Sequence, residues 1–140
     1  VSNEDPSWRL GYLLKHAQLR FYELHAEALA SYGINGRELA VLLVLDTGEP
    51  ASQQQAAQRL GIDRTTMVAL LDTLEDKGIV VRRPSAEDRR KNVVELTPEG
   101  HETLRKATQA SDEAERRFLA PLDGTAARQL RNALHALVQE

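Results

Sequence analysis

Between residues 53 and 78 the chain reads QQQAAQRLGIDRTTMVALLDTLEDKG, and the spacing of three residues in it restricts the fold more than any other stretch. Small Ala57 lies four residues before Gly61, and apolar Met67 lies six residues after it. Two helices that cross closely need a small side chain on the first, a glycine in the turn and an apolar plug on the second. Gly61 can adopt the left-handed backbone that closes a helix, and Asp63 can offer its carboxylate to the free amides that open the next. A short helix over residues 53–60, a tight turn and a helix running to Lys77 follow from this pattern.

What comes after Gly78 narrows the choice, because helical hairpins of other kinds share the Ala–Gly–Met spacing. IVVRR is β-branched and short, SAEDRRK is polar, and NVVEL is β-branched again. Two strands joined by a loop make a hairpin. Helix, tight turn, helix and hairpin is the order of a winged helix-turn-helix.

Long helices flank this unit. From residue 8 to 31 the apolar residues Leu10, Leu13, Leu14, Ala17, Phe21, Leu24, Ala28 and Leu29 recur at three- and four-residue steps, which predicts a helix with a broad buried stripe. Asn35 with Glu38 three positions on resembles a capping box, and Leu39, Leu42, Leu43 and Leu45 continue a second helix to Asp46. Gly48 and Pro50 break the chain, and Ser52 with Gln55 makes another helix start. Thr97-Pro98-Glu99 opens a fifth helix with proline in its first turn, reaching Ala120. Pro121 interrupts, Asp123 can cap, and Leu130, Leu134 and Leu137 mark a sixth helix. The expected architecture is mainly α with a small β-hairpin wing, divided into residues 1–34, a winged unit at 35–97, and residues 98–140.

Composition removes several function classes. The 140 residues contain no cysteine, so disulfides, thiolate metal sites and cysteine redox chemistry are out. No run approaches the ~20 apolar residues of a membrane span. The acidic, polar start VSNEDPSWRL differs from a secretory signal, so the expected location is cytoplasmic. His16, His25, His101 and His135 include no i, i+4 pair, and no metal or cofactor is expected. His101-Glu102 lacks the second histidine of a zinc-protease helix, and no glycine-rich phosphate loop is present. An enzyme is not expected.

Charge points to a partner. The net charge is −3, yet residues 52–91 hold eight Lys and Arg against six Asp and Glu, a net of +2. The positive field therefore sits in the helix–hairpin segment, where a polyanion would bind. On the fourth helix Met67, Leu70, Leu71 and Leu74 share one side, leaving Thr65, Ala69, Asp72 and Asp76 on the other. Its first turn presents Arg64, Thr65 and Thr66, suited to base edges or phosphates in a major groove. Asp72 and Asp76 read as solvated. Arg82, Arg83, Arg89, Arg90 and Lys91 belong to the hairpin, and arginine is favoured in a narrow minor groove by the negative potential there. Alone, such a loop reads as hydrated surface; after a helix-turn-helix it reads as a DNA contact.

The stretch Asp88-Arg89-Arg90-Lys91-Asn92-Val93-Val94-Glu95-Leu96-Thr97, followed by Pro98-Glu99-Gly100, resembles the wing signature D-x-R-x-x-x-x-x-L-T of the MarR family of bacterial regulators. LLDTLEDKGIVVRR is similar to the end of that family's recognition helix and its first wing strand. The resemblance extends over nearly the whole chain, long flanking helices included. It implies a homodimer with interlocked terminal helices, holding two winged units against successive grooves of pseudo-palindromic double-stranded DNA. It further implies that Arg90 enters the minor groove, that Asp88 orients it by a salt bridge, and that Thr65 and Thr66 face the major groove. With Ser52, Arg64, Arg89 and Lys91 these form the expected DNA-binding set. Many family members carry arginine where this chain has Ala69 and Thr73, which shifts the expected affinity towards wings and helix ends.

Trp8, Tyr12, His16 and Arg20 lie four apart along the first helix. Two readings stay open for this stripe: packing at a dimer interface, or a pocket for a small aromatic or carboxylate effector. The resemblance implies that any effector pocket lies between the winged unit and the dimer helices. The functional expectation is a dimeric, sequence-specific transcriptional repressor relieved by a small effector. The competing reading is a winged-helix protein-interaction module with weak or no specific DNA binding, which the net negative charge permits.

Overall fold

A computed structural model describes residues 5–47 and 49–139; Gly48, the expected chain breaker, and residues 1–4 lie outside the described residues. The elements run α1 (Leu10–Leu29), α2 (Gly36–Leu45), β1 (Ala51–Ser52), α3 (Gln53–Leu60), α4 (Arg64–Asp76), β2 (Val80–Pro84), β3 (Asn92–Leu96), α5 (Pro98–Leu119) and α6 (Gly124–Val138). Single turns of 3-10 helix, Pro6–Trp8 and Ala30–Tyr32, flank α1.

Most helix starts are local bargains between a cap and the amides it satisfies. Asn35 accepts from Glu38 N–H at 2.9 Å while the Glu38 carboxylate accepts from Asn35 N–H at 3.0 Å. Ser52 and Gln55 repeat this reciprocal box at α3, with both bonds at 3.1 Å. Asp63, Thr97 and Asp123 cap α4, α5 and α6 through single side-chain acceptors. Each such cap is worth about 1 kcal/mol. Gly61 ends α3 with φ of 64°, the left-handed backbone expected of it.

The hairpin gains a third strand that hydrophobic alternation does not reveal. The sheet order is β1-β3-β2, all antiparallel, with Ala51 opposite Val94 and Ser52 opposite Val93. Ser52 therefore closes a strand pair and caps a helix at once. On the other side of β3, Arg82 faces Val94 and Val80 faces Leu96. The core under this sheet is built from Leu39, Leu42, Met67, Leu71, Leu74, Val80 and Val94, all at most 3% exposed. Ala57 is buried and Met67 is 1% exposed, as the crossing of α3 and α4 requires.

The broad stripe on α1 departs from expectation. Only Leu29 of the helix is buried, Phe21, Leu24 and Ala28 are half-buried, and Leu10, Leu13 and Leu14 stay between 44% and 68% exposed. A single chain does not supply enough apolar surface to cover them. On α2, Leu43 is likewise exposed. The sixth helix buries no residue, and Leu137 on it is 72% exposed. Among the described residues no single helix is long and apolar enough to cross a membrane.

Candidate nucleic-acid interface

The N-terminal end of α4, the start of α3 and the tip of the hairpin face one another across an open cleft of about 500 Å³. Ser52, Arg64, Arg90 and Lys91 line it together with Gln53, Gln54, Gln58 and Asn92, and no carboxylate does. Of the eight residues expected to meet DNA, four thus share one concave surface. Thr65, Thr66, Asp88 and Arg89 do not line it; Thr65 is exposed on α4, and Thr66 is half-buried beside it. The glutamines and Asn92 were not singled out by sequence reasoning. The triple glutamine at 53–55 carries no charge, and only the fold turns two of its members towards the cations.

The start of α4 is held by Asp63, whose carboxylate accepts from Thr66 N–H at 2.7 Å. That bond keeps the Asp63 carboxyl below the usual carboxylate range. The negative charge thereby sits on the helix's own amides rather than on the groove-facing side, and Arg64 and Thr65 remain free to point outward.

The wing tip folds on itself. Ser85 N–H donates to the Lys91 carbonyl at 2.8 Å, Lys91 N–H to the Asp88 carbonyl at 3.0 Å, and Ser85 Oγ accepts from Glu87 N–H at 3.2 Å. Asp88 Oδ1 accepts from both Arg90 Nε at 3.2 Å and Arg90 N–H at 3.1 Å. The guanidinium and backbone N–H of Arg90 hold the Asp88 carboxyl below its ordinary range. Arg90 itself is 91% exposed in its side chain. A carboxylate that is itself one-third exposed therefore aims a fully solvated arginine. Such an exposed pair adds little stability, so its effect lies in direction.

Two further cations of the hairpin are paired with carboxylates. Arg82 bonds Asp72 at 2.5 Å and Glu75 at 3.0 Å, and its side chain is only 18% exposed. Asp72, read from sequence as solvated, is 57% exposed and is also paired, because β2 passes beside α4. Arg83 lies 3.9 Å from Glu95 across the strand pair.

The stripe on the first helix is interrupted. Trp8 belongs to the separate turn Pro6–Trp8, and Arg9 is extended, so Trp8 leaves the helical register of Tyr12, His16 and Arg20. Tyr12 and His16 do meet, with ring centroids 4.0 Å apart. A second, mostly apolar groove of about 790 Å³ runs between α1, α5 and α6. It is lined by the other side of α1, including Leu14, Gln18 and Phe21, and by Phe118, Leu130 and Leu134, but by none of the stripe residues.

Comparison with known proteins matches this arrangement to one family. A model described as MarR family matches residues 32–91, from the turn before α2 to the loop of the wing. The HTH-type transcriptional regulator PrsX of Escherichia coli is 35% identical over 115 residues, 77% of this chain and 69% of the relative. The solved structure of the transcriptional repressor CouR bound to a 23-mer DNA duplex is 34% identical, covers 99% of both chains and superposes with a TM-score of 0.92. CouR from Rhodococcus jostii RHA1 bound to p-coumaroyl-CoA is 27% identical, covers 96% of this chain and 94% of that one, and has a TM-score of 0.82. A relative above 30% identity across most of both chains, and a whole-chain match in fold, carry the assignment: the protein belongs to the MarR family of transcriptional regulators.

Proposed function

We propose that the protein is a homodimeric repressor that binds pseudo-palindromic double-stranded DNA. The observation that carries this reading is the cleft lined by Arg64, Arg90 and Lys91 without a carboxylate, in a chain of net charge −3. Local potential steers a polyanion to that surface even though the total charge is unfavourable. The first turn of α4, with Arg64, Thr65 and Thr66, enters the major groove. Ser52 at the start of α3 meets the backbone between grooves, and the wing places Arg89, Arg90 and Lys91 at the minor groove, with Asp88 directing Arg90.

Residues 1–34 and 98–140 form the dimerisation part, and residues 35–97 the DNA-binding unit. The exposed leucines of α1 and the unburied α6 support a second copy of the chain as their cover: burying a leucine is worth about 2 kcal/mol, and one chain leaves many uncovered. A small aromatic or carboxylate effector, bound beside the dimer helices, would favour the arrangement unable to bind DNA; the CouR structure with p-coumaroyl-CoA supports a ligand that carries an aromatic group. Trp8, Tyr12, His16 and Arg20 are the candidate effector residues.

Selecting bound sequences from random DNA, then titrating the selected duplex at several salt concentrations, tests the reading. The expected slope of log affinity against log salt is about −0.9 per neutralised phosphate, hence steep. Failure to enrich any sequence, with a flat salt dependence, would favour the protein-interaction module instead.

A further inference from the structure

Arg82 differs from every other cation of the wing in what its side chain does. It sits on β2, an edge strand of the sheet, and folds back over α4. One guanidinium nitrogen, Nη2, donates to Asp72 Oδ1 at 2.5 Å and to Glu75 Oε1 at 3.0 Å. Nη1 reaches Gln53 Oε1 in the first turn of α3 at 3.4 Å. The backbone N–H of the same residue, which an edge strand leaves without a ladder partner at this position, donates to Glu75 Oε2 at 3.1 Å. One residue thus ties the wing to both helices of the helix-turn-helix.

The charge around it explains why such a tie matters. Along α4, Arg64 stands against Asp72, Glu75 and Asp76. Lys77, next in the chain, is turned away to Glu38 and the Gly33 carbonyl, at 2.8 and 2.7 Å. Without Arg82 the second half of α4 would present carboxylates near phosphates with no cation beside them, and among the described residues no other wing side chain is hydrogen-bonded to α4.

We propose that Arg82 is a positioning residue for DNA recognition: it neutralises Asp72 and Glu75 and locks the angle between α4 and the wing, without itself contacting phosphate. This rests on the DNA-binding reading above, and one of its tests needs no DNA.

The decisive variant is the double truncation Asp72→Ala, Glu75→Ala, which removes the acceptors of Arg82 together with two negative charges. If the carboxylates were bystanders, DNA affinity would rise through lost repulsion. The expected result is the opposite, a fall of about tenfold with the melting transition retained; unchanged or tighter binding overturns the proposal. For Arg82→Gln, affinity is expected to fall while the salt slope stays that of the parent. A slope shallower by about 0.9 would mean a lost phosphate contact and overturn it. In the free protein, the Arg82 amide is expected to exchange slowly with solvent deuterium, and rapidly in the double alanine variant, while the β2–β3 ladder amides stay protected. A parent Arg82 amide that exchanges as fast as an open one denies the lock, whatever becomes of the DNA reading.

Discussion

A Cβ placed on Gly100 would collide with the Ile79 carbonyl oxygen, because the first turn of α5 is pressed against the backbone at the start of β2. Thr97 sets this approach: its hydroxyl reaches the carbonyls of Gly78 at 2.6 Å and Ile79 at 3.1 Å, and it also accepts from Gly100 N–H at 3.0 Å. The same Ile79 carbonyl accepts from Thr97 N–H at 3.0 Å. The Leu-Thr-Pro-Glu-Gly run after the wing is therefore a seam where strand and helix meet without side chains between them.

Gly100→Ala is expected to destabilise the protein by about 2–3 kcal/mol, since neither backbone can yield without opening the seam. Chemical denaturation measures this; a midpoint unchanged from the parent would show that α5 can shift at no cost.

Arg90→Ala should weaken binding to the selected DNA by at least about tenfold while leaving the melting temperature unchanged, as a fully exposed side chain with one weak ion pair holds no fold together. A gel-shift titration paired with a melting curve checks both halves. Undiminished binding would remove the wing from the interface.

Lys77→Met is expected to cost about 2 kcal/mol. Glu38 is 3% exposed, and its carboxylate has Lys77 as its ion-pair partner at 2.8 Å, so the substitution leaves a buried charge with only the Asn35 amide. Replacing both, Glu38→Gln with Lys77→Met, should recover part of the loss in a double-mutant cycle. Purely additive losses would deny the coupling.

His25 carries a pH dependence of definite sign. Its ring bonds Ser111 Oγ at 2.8 Å and stacks on Phe21, and burial lowers its pKa from the ordinary 6.5, partly opposed by the Glu115 charge. The folded state then binds fewer protons than the unfolded one between the two values. Its contribution is complete above 6.5 and is lost as pH falls through the lowered folded value. The melting temperature of the parent should decline from pH 7 to pH 5 more than that of His25→Gln; parallel curves would show that the ring is free to protonate in place.

Leu14→Lys is expected to shift the protein towards a monomer, with little effect on the fold of the winged unit, because Leu14 is 47% exposed within one chain and lines the groove between α1, α5 and α6. Light scattering at low micromolar concentration reads the mass. A parent that is itself monomeric there would overturn the dimer.

What could be read from sequence was whatever is decided within a few residues. The Asn35–Glu38 and Ser52–Gln55 boxes, the Asp63 and Thr97 caps and the left-handed Gly61 all depend on neighbours no more than three positions away. β1 escaped notice because two residues, Ala and Ser, carry no strand pattern; pairing with Val93 and Val94 some forty positions on creates it. Arg82 looked like one more wing cation, since its partners on α4 become neighbours only when strand and helix pack. The α1 stripe was legible as apolar, but periodicity cannot say whether the covering surface belongs to the same chain. Among the expected DNA contacts, the residue types were visible, whereas the amides of Gln54 and Gln58 needed the fold to place them in the cleft.

The double duty of Ser52 also governs how the chain can change in length. Its backbone is registered against Val93 while its hydroxyl and N–H close the box with Gln55. Adding or deleting a residue between 51 and 53 would break either the pairing with Val93 or the box with Gln55, since one residue serves both. Ahead of Asp88, where the wing signature begins, the loop at 86–87 has no such double register. Relatives should therefore vary in length there, while the junction of strand and helix keeps its residue count.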